Sequence, residues 1–291
     1  MRKLLVALTA IGSALALTAG ASGSASSSAL SGACAKDKLA LREAGMITFG
    51  TDNPAYPPWF AGGEKKGTKW KINDPSTGKG YESAVAYAVA KQLGFAPADV
   101  MWVVVPFSNS FKPGKKSFDL FVNQVSYLPE RAKNVDFSAS YYDVNQAVVG
   151  IKGKPITSVK TVAGLKPFKL GVQIGTSSYQ YIVKNIKPSK TPGVFDTNND
   201  AVTALKNGQI DGLVVDLPTA FYVTAVQVEK GVIVGQFPSI GGQERFGMVL
   251  QKGSALTACV DQALAKLKAS GTLKSLQQQW LSKATGAPVL K

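Results

Sequence analysis

Short apolar runs alternate with amphipathic stretches from residue 46 onward, and this alternation limits the fold more than any other feature of the 291-residue chain. Met46–Thr51 reads as a strand, with Ile47 and Phe49 on one face. Tyr81–Leu93 reads as a helix whose apolar stripe is Val85, Ala88, Val89 and Leu93, with Gly94 as its stop. Val100–Val105 is almost uninterruptedly apolar, the pattern of a strand covered on both faces, and Phe118–Val122 is another short strand. A second series begins near residue 150, with a strand at Lys169–Gln173 and a helix at Ser177–Ile186 packing through Ile182, Val183 and Ile186. Thr197 and Asp200 have capping-box spacing and open a helix over Asn198–Asn207, stopped by Gly208. A strand at Ile210–Val215 and a helix at Thr219–Val228 follow. The C-terminal end holds two helices divided by Gly271, the second carrying Leu273, Leu276 and Trp280 on one side. Strand–helix alternation of this kind argues for an α/β fold with mostly parallel sheets. No internal repeat is visible.

Composition removes whole classes of chemistry. At 45% hydrophobic the chain is too apolar to stay disordered, and its long apolar runs are too few for a polytopic membrane protein. The length suits one or two globular domains. There is no histidine, which excludes Ser-His-Asp and Cys-His catalysis and any histidine-ligated metal. Two cysteines are too few for a structural zinc cluster, so neither metal nor cofactor is expected. The formal charge is +15, carried mostly by lysine: Lys65, Lys66, Lys69, Lys71 and Lys79 crowd one loop around Trp70, and Lys112, Lys115 and Lys116 another. Arginine, the residue suited to bidentate base and phosphate contacts, is confined to Arg2, Arg42, Arg131 and Arg245. The lysines therefore read as a solvated face and no nucleic-acid partner is expected; the alternative is weak attraction to anionic envelope polymers or lipid headgroups.

The N-terminus reads as an address. Arg2 and Lys3 precede an apolar stretch over Leu4–Leu17 and the small-residue run Ala19-Gly20-Ala21, which together make a secretory signal. Residues 1–21 are assigned to it, with cleavage allowed as far as residue 33, and 22–45 form an N-terminal spacer. Export to the periplasm, the cell surface or the medium follows. A lipid anchor at Cys34 is disfavoured, because Ser31 stands three positions before it and Leu30 is one place out. An oxidising compartment favours pairing of Cys34 with Cys259, which would tie the N-terminus to a C-terminal helix. The alternative is two unpaired thiols, one of them buried as a small apolar residue.

In open α/β sheets, ligands bind beyond the carboxyl ends of the strands. Asp52 to Phe60 follow the first strand and bring an acid, Tyr56 and Trp59; Asn123 to Arg131 follow the strand at Phe118–Val122. Gly175-Thr176-Ser177-Ser178 follow Lys169–Gln173 and open a helix, and Asp216 follows Ile210–Val215. That inventory suits a zwitterion. A carboxylate wants a forked guanidinium and N–H groups at a helix start, which Arg131 and Thr176/Ser177 would supply. An ammonium wants acceptors, which Asp216, the Val125 carbonyl and Ser126 would supply, and an apolar stem wants a flat face such as Tyr56. Each residue has a structural alternative: Arg131 as ion-pair partner of Glu130 or Asp136, Asp216 as a helix cap, Tyr56 and Trp59 as core aromatics beside prolines.

The motifs in order resemble a known family. Gly50-Thr51-Asp52…Tyr56-Pro57-Pro58, Gly80-Tyr81-Glu82, Val125-Ser126-Tyr127-Leu128-Pro129-Glu130-Arg131, Val135-Asp136-Phe137-Ser138-Ala139-Ser140-Tyr141-Tyr142, Gly175-Thr176-Ser177, Gln209-Ile210-Asp211…Val215-Asp216 and Gly271-Thr272-Leu273…Trp280-Leu281 cover almost all of the chain beyond the leader. The sequence resembles the amino-acid-binding proteins of bacterial ABC importers, solute-binding protein family 3, which have the periplasmic binding protein type II fold. The resemblance implies two α/β lobes joined by a two-strand hinge: residues 46–148 as the first part of lobe one, 149–245 as lobe two, and 246–291 as the return to lobe one with the C-terminal helices. The crossings would lie near Gln146–Gly150 and Phe246–Leu250. It further implies that Arg131, Ser126, Thr176 and Ser177 hold a ligand carboxylate and that Asp216, Val125 and Ser126 hold its ammonium. Asp52, Tyr56, Trp59, Asn123 and Gln124 would face its side chain. The implied partners of this monomer are an L-amino acid and a membrane permease; Asp52 favours a polar or cationic side chain, because a buried unpaired carboxylate is costly, the alternative being that Asp52 bonds neighbouring N–H groups. Leu128 in place of threonine, Ala84 and Ala139-Ser140 in place of acidic motifs, and a lengthened loop at Gly62–Lys79 depart from the family pattern. They spare the α-amino-acid clamp. The rival on the same scaffold is an exported prephenate-type dehydratase with Glu82 or Asp52 as its acid or base; a sensory module docking on a receptor is a third reading.

Overall fold

The alternation resolves into two five-stranded sheets. A computed structural model describes residues 29–238, 244–281 and 287–291; the secretory leader read at 1–21 lies outside them. The strands are β1 (Ile47–Thr51), β2 (Val100–Val104), β3 (Leu120–Phe121), β4 (Val135–Val144), β5 (Gln146–Ile151), β6 (Leu170–Gln173), β7 (Gly193–Phe195), β8 (Gly212–Asp216), β9 (Gly231–Gln236) and β10 (Glu244–Gln251). The first sheet has the order β2-β1-β3-β10-β4, the second β7-β6-β8-β5-β9. In each sheet the first three strands are parallel and the last two pairings are antiparallel. The two sheets thus share one topology although the sequence shows no repeat.

The helices are α1 (Tyr81–Gln92), α2 (Phe107–Ser110), α3 (Pro129–Ala132), α4 (Ser177–Tyr181), α5 (Asn198–Lys206), α6 (Leu217–Tyr222), α7 (Leu256–Ala269) and α8 (Thr272–Leu281). π-helical turns at Ile182–Ile186 and Val223–Gln227 extend α4 and α6. Local signals explain the ends: Gly94 has φ +89° after α1, and Thr197 caps α5 by accepting from the Asp200 amide at 3.1 Å. The Asp200 carboxylate accepts from the Thr197 hydroxyl at 2.6 Å, so the reciprocal half of the expected capping box is not made to the backbone. Gly80, ahead of α1, has φ +90°, and a Cβ there would lie 2.5 Å from the Phe60 Cα and the Trp59 carbonyl. Only glycine fits.

Two strand expectations are corrected. The apolar run at Val100–Val104 is an edge strand, not one covered on both faces, and Met101 is 38% exposed. It hydrogen-bonds to β1 along one side only, with Trp102 stacked on Phe49 at 5.3 Å, and an apolar run alone does not distinguish edge from centre. β8 starts at Gly212 rather than Ile210, its ladder with β6 beginning at the Leu170–Gly212 pair; the buried Ile210 side chain covers Gly171, where a Cβ would lie 2.2 Å from its Cδ1.

The chain changes sheets at Asn145, between β4 and β5, so Gln146–Gly150 belongs to the second sheet, while Phe246–Leu250 lies inside β10 in the first. The last residues, read from sequence with the first lobe, pack on the second. Val289 bridges Gln236 in parallel, and Leu290, 2% exposed, joins the second lobe's core beside Gly235. The first lobe's main core lies between its sheet and α1, α7 and α8. Cys34 and Cys259 of α7 are disulfide-bonded within it, with a Cα–Cα distance of 5.4 Å.

Candidate functional site

A cleft between the lobes, about 110 Å³ in volume, has room for one small molecule. The first lobe contributes Asp52, Asn53, Pro54, Tyr56, Phe107, Asn123, Gln124, Ser126 and Arg131; the second contributes Thr176, Ser177, Ser178, Asp216, Tyr222 and Gln227 among others. Nine of the sequence-derived site residues therefore share one cavity: Asp52, Tyr56, Asn123, Gln124, Ser126, Arg131, Thr176, Ser177 and Asp216. They meet because strand carboxyl ends from both sheets open onto it.

Arg131, in the short helix α3, is 5% exposed. Its Nη1 donates to the Ser126 carbonyl at 2.8 Å and its Nη2 to the Gly175 carbonyl of the other lobe at 2.5 Å. Its guanidinium carbon sits 4.4 Å from the centre of the Phe111 ring. Burial pulls its pKa down to about 10, so it stays charged at neutral pH. A guanidinium has five donors, and two carbonyls do not exhaust it. Neither Glu130 nor Asp136 pairs with it: Glu130 accepts from Gln180 at 2.5 Å and Asp136 pairs with Lys252 at 3.1 Å. Gly175 carries φ +74°, a conformation that only glycine adopts readily.

Asp216 ends β8, and its carboxylate accepts from the Gln146 side-chain amide. Burial and the nearby Glu244 push its pKa well up, against the Gln146 hydrogen bond and Arg131. Gln146 also donates to Glu244 at 3.1 Å and accepts from the Ser178 hydroxyl. Glu244 in turn accepts from the Ser126 hydroxyl at 2.5 Å, and Ser126 meets Ser177 of the other lobe at 3.2 Å. The Thr176 hydroxyl caps α4, donating to the Gln173 carbonyl at 2.8 Å and accepting from the Tyr179 amide at 3.2 Å.

At the far end, Asp52 accepts from the Asn53 amide at 2.8 Å and the Phe107 amide at 3.2 Å, while burial still raises its pKa. The Tyr56 hydroxyl and Gln227 Oε1 are buried without partners among the described residues. Burial and the charge of Asp52 push the Tyr56 hydroxyl to about 12. Gln124 lies at φ +50° and turns its amide nitrogen onto Glu82 at 2.5 Å, and Asn123 accepts from Gln124 at 3.4 Å.

Two expected residues are not in the cleft. Trp59 is 1% exposed and packs in a T-shaped geometry on Tyr142 and Phe246, so it is a core residue; its indole N–H donates across the lobes to Thr219 at 3.1 Å. Val125 is fully buried, and its carbonyl already accepts from the Gly247 amide at 3.1 Å.

Gln146 and Glu244 went unrecognised in the sequence for a topological reason. Each is the first residue of a strand, whereas the recognised cleft residues lie at or beyond strand carboxyl ends. β5 runs antiparallel to β8, and Gln146 pairs with Asp216; β10 runs antiparallel to β4, and Glu244 pairs with Val144. Antiparallel strands bring their starts to the edge where parallel strands finish. Gln227 has no signal of its own, since the π-helical turn that carries it is not legible in the chain.

Known proteins resemble this chain along most of its length. Residues 47–283 match the model of bacterial extracellular solute-binding proteins, family 3. The L-cystine-binding protein TcyJ of Escherichia coli strain K12 is 29% identical over 263 residues, 86% of each chain. The ABC transporter arginine-binding protein 1 of the same strain is 28% identical over 237 residues, covering 80% of this chain and 90% of that one. An ancestral arginine-binding protein solved with arginine superposes with a TM-score of 0.66 at 29% identity, over 81% of this chain and 98% of that one. With two α/β lobes around a shared cleft and a family match from residue 47 to residue 283, the chain belongs to the bacterial extracellular solute-binding proteins, family 3.

Proposed function

We propose that the protein is the extracytoplasmic binding component of an ABC importer, capturing a polar or cationic L-amino acid between its lobes and delivering it to a membrane permease. One observation carries the reading: Arg131 and Asp216, opposite charges from opposite lobes, line a single cleft. Arg131, with Thr176 and Ser177 at the start of α4, takes the ligand carboxylate; Asp216 and Ser126 take its ammonium. Binding at both poles favours the closed arrangement of the lobes. The names of relatives support an amino acid, since they bind cystine and arginine.

The charge balance favours a cationic or donor-bearing side chain. Asp52 and Asp216 in the cleft, with Glu244 behind Ser126, face the single guanidinium of Arg131. Asp52 and Asp216 each accept hydrogen bonds, but a neutral zwitterion brings no counter-charge for that excess, and a buried carboxylate without one is costly. The Tyr56 hydroxyl and Gln227 Oε1, both without partners among the described residues, likewise favour a polar side-chain terminus. The dehydratase reading is weakened because Glu82 is fully buried and holds the Tyr141 hydroxyl and both nitrogens of Gln124, so it does not reach the cleft. Export rests on the N-terminal leader; among the described residues no helix is long and apolar enough to cross a membrane.

Thermal shifts across the common L-amino acids, with ornithine, citrulline and cystine added, identify the ligand. Arg131→Ala is expected to weaken calorimetric binding of the best one by about 3 kcal/mol or more, because its carboxylate is then buried without a partner. Unchanged affinity would overturn the assignment, and turnover of prephenate by the wild type would favour the enzyme.

A further inference from the structure

Glu244 sits between donors from both lobes. Its Oε1 accepts from the Ser126 hydroxyl at 2.5 Å, and its Oε2 accepts from the Gln146 side-chain amide at 3.1 Å. That same amide nitrogen donates to Asp216, and the Gln146 carbonyl accepts from Ser178. The first residue of β10 is thus wired through Gln146 to the last residue of β8. Glu244 does not line the cleft; Ser126 and Asp216 do.

The proton inventory gives this network a direction. A serine hydroxyl has one proton, and an ionised carboxylate only accepts. Once Ser126 gives its proton to Glu244, only lone pairs are left on its oxygen, and the 3.2 Å contact with Ser177 is Ser177 donating. Gln146, held by Glu244 and Ser178, presents its amide to Asp216 and fixes that carboxylate in the wall. We propose that Glu244 is a positioning residue that takes up the Ser126 hydroxyl hydrogen and holds Gln146 against Asp216, so that a protonated α-amine meets the Ser126 lone pairs and the Asp216 carboxylate that the amine's charge keeps ionised, selecting such a ligand over the same molecule carrying an α-hydroxyl. This rests on the amino-acid-binding reading above. A hydroxyl supplies one proton where an ammonium supplies three, so a wall of acceptors separates the two strongly.

The test compares two probes: the tightest-binding L-amino acid of the panel and its α-hydroxy counterpart. Glu244→Gln keeps the shape but turns one acceptor oxygen into a donor, so it cannot accept from both Ser126 and Gln146. Calorimetric affinity for the amino acid is expected to fall about tenfold or more, and that for the hydroxy acid to change by less than about threefold. Equal losses for both probes would mean that Glu244 only supports the hinge, and an unchanged amino-acid affinity would mean that it does nothing for the wall; either result overturns the inference and leaves amino-acid binding intact. A wild type that binds none of the L-amino acids overturns the reading beneath it as well. Glu244→Asp, which withdraws the carboxylate by one methylene, is expected to narrow the preference for the amino acid about threefold and replaces the glutamine variant if that does not fold. An unaltered preference there overturns the inference too.

Discussion

Glu82 is a carboxylate that water cannot reach. It lies in the first turn of α1, fully buried, and accepts from the Tyr141 hydroxyl, the Gln124 amide at 2.6 Å and the Gln124 side chain at 2.5 Å. Burial outweighs those donors and lifts its pKa from 4.5 to about 7. Because the folded value lies above the unfolded one, the stability it contributes is complete below about 4.5 and is lost as the pH rises through about 7. Glu82→Gln removes the titration. The stability of the wild type relative to this variant, from urea midpoints, should therefore drop by about 3 kcal/mol between pH 4 and pH 8. A difference that stays flat with pH would show that the buried carboxylate costs nothing to ionise. Among the cleft residues, Asp52 and Asp216 were legible because they stand at the carboxyl ends of parallel strands, and Trp59 misled because an aromatic beside prolines looks the same in core and cleft.

At the scale of elements, the disulfide is the clearest case of a sequence feature whose energetic role depends on position. Two cysteines behind an apparent export leader point to a pair, and the structure joins a short N-terminal turn to α7 across a sequence separation of 225 residues. Closing so long a loop restricts the unfolded chain, and replacing both with serine is expected to lower stability by about 2–5 kcal/mol. Reductant should lower the melting temperature of the wild type and leave that of the double variant unchanged. The strands were harder to read. β3 has only two residues, and β2 reads as covered on both faces but is a partly exposed edge, because sheet position depends on partners far away in sequence.

The whole molecule carries a third link between its lobes. Besides the passages from β4 to β5 and from β9 to β10, the chain runs from α8 in the first lobe to residues 287–291 on the second. There the Gln236 amide donates to the Pro288 carbonyl at 2.8 Å, and the Leu290 amide donates to the Gln236 carbonyl at 2.9 Å. The Val162 amide donates to the Lys291 carbonyl at 2.8 Å. Residues 287–291, a strap held on the second lobe in this way, are expected to limit how far the lobes separate. Removing residues 287–291 should enlarge the ligand-free radius of gyration in solution scattering and weaken ligand binding a few-fold by lowering the population of closed molecules. An unchanged radius would mean that the strap packs without restraining.

The sequence by itself determined the α/β class, the two-lobe family and most of the cleft wall, because periodicity and strand-end motifs are local and survive being read one residue at a time. Tertiary structure decided what locality cannot carry: that Trp59 and Val125 turn inward, that the last residues cross back to the second lobe, and that Gln146 and Glu244 stand beside Asp216 and Ser126. Those last two owe their place to antiparallel pairing, which brings strand starts to strand ends, and pairing direction is a property of the folded sheet and not of any segment alone.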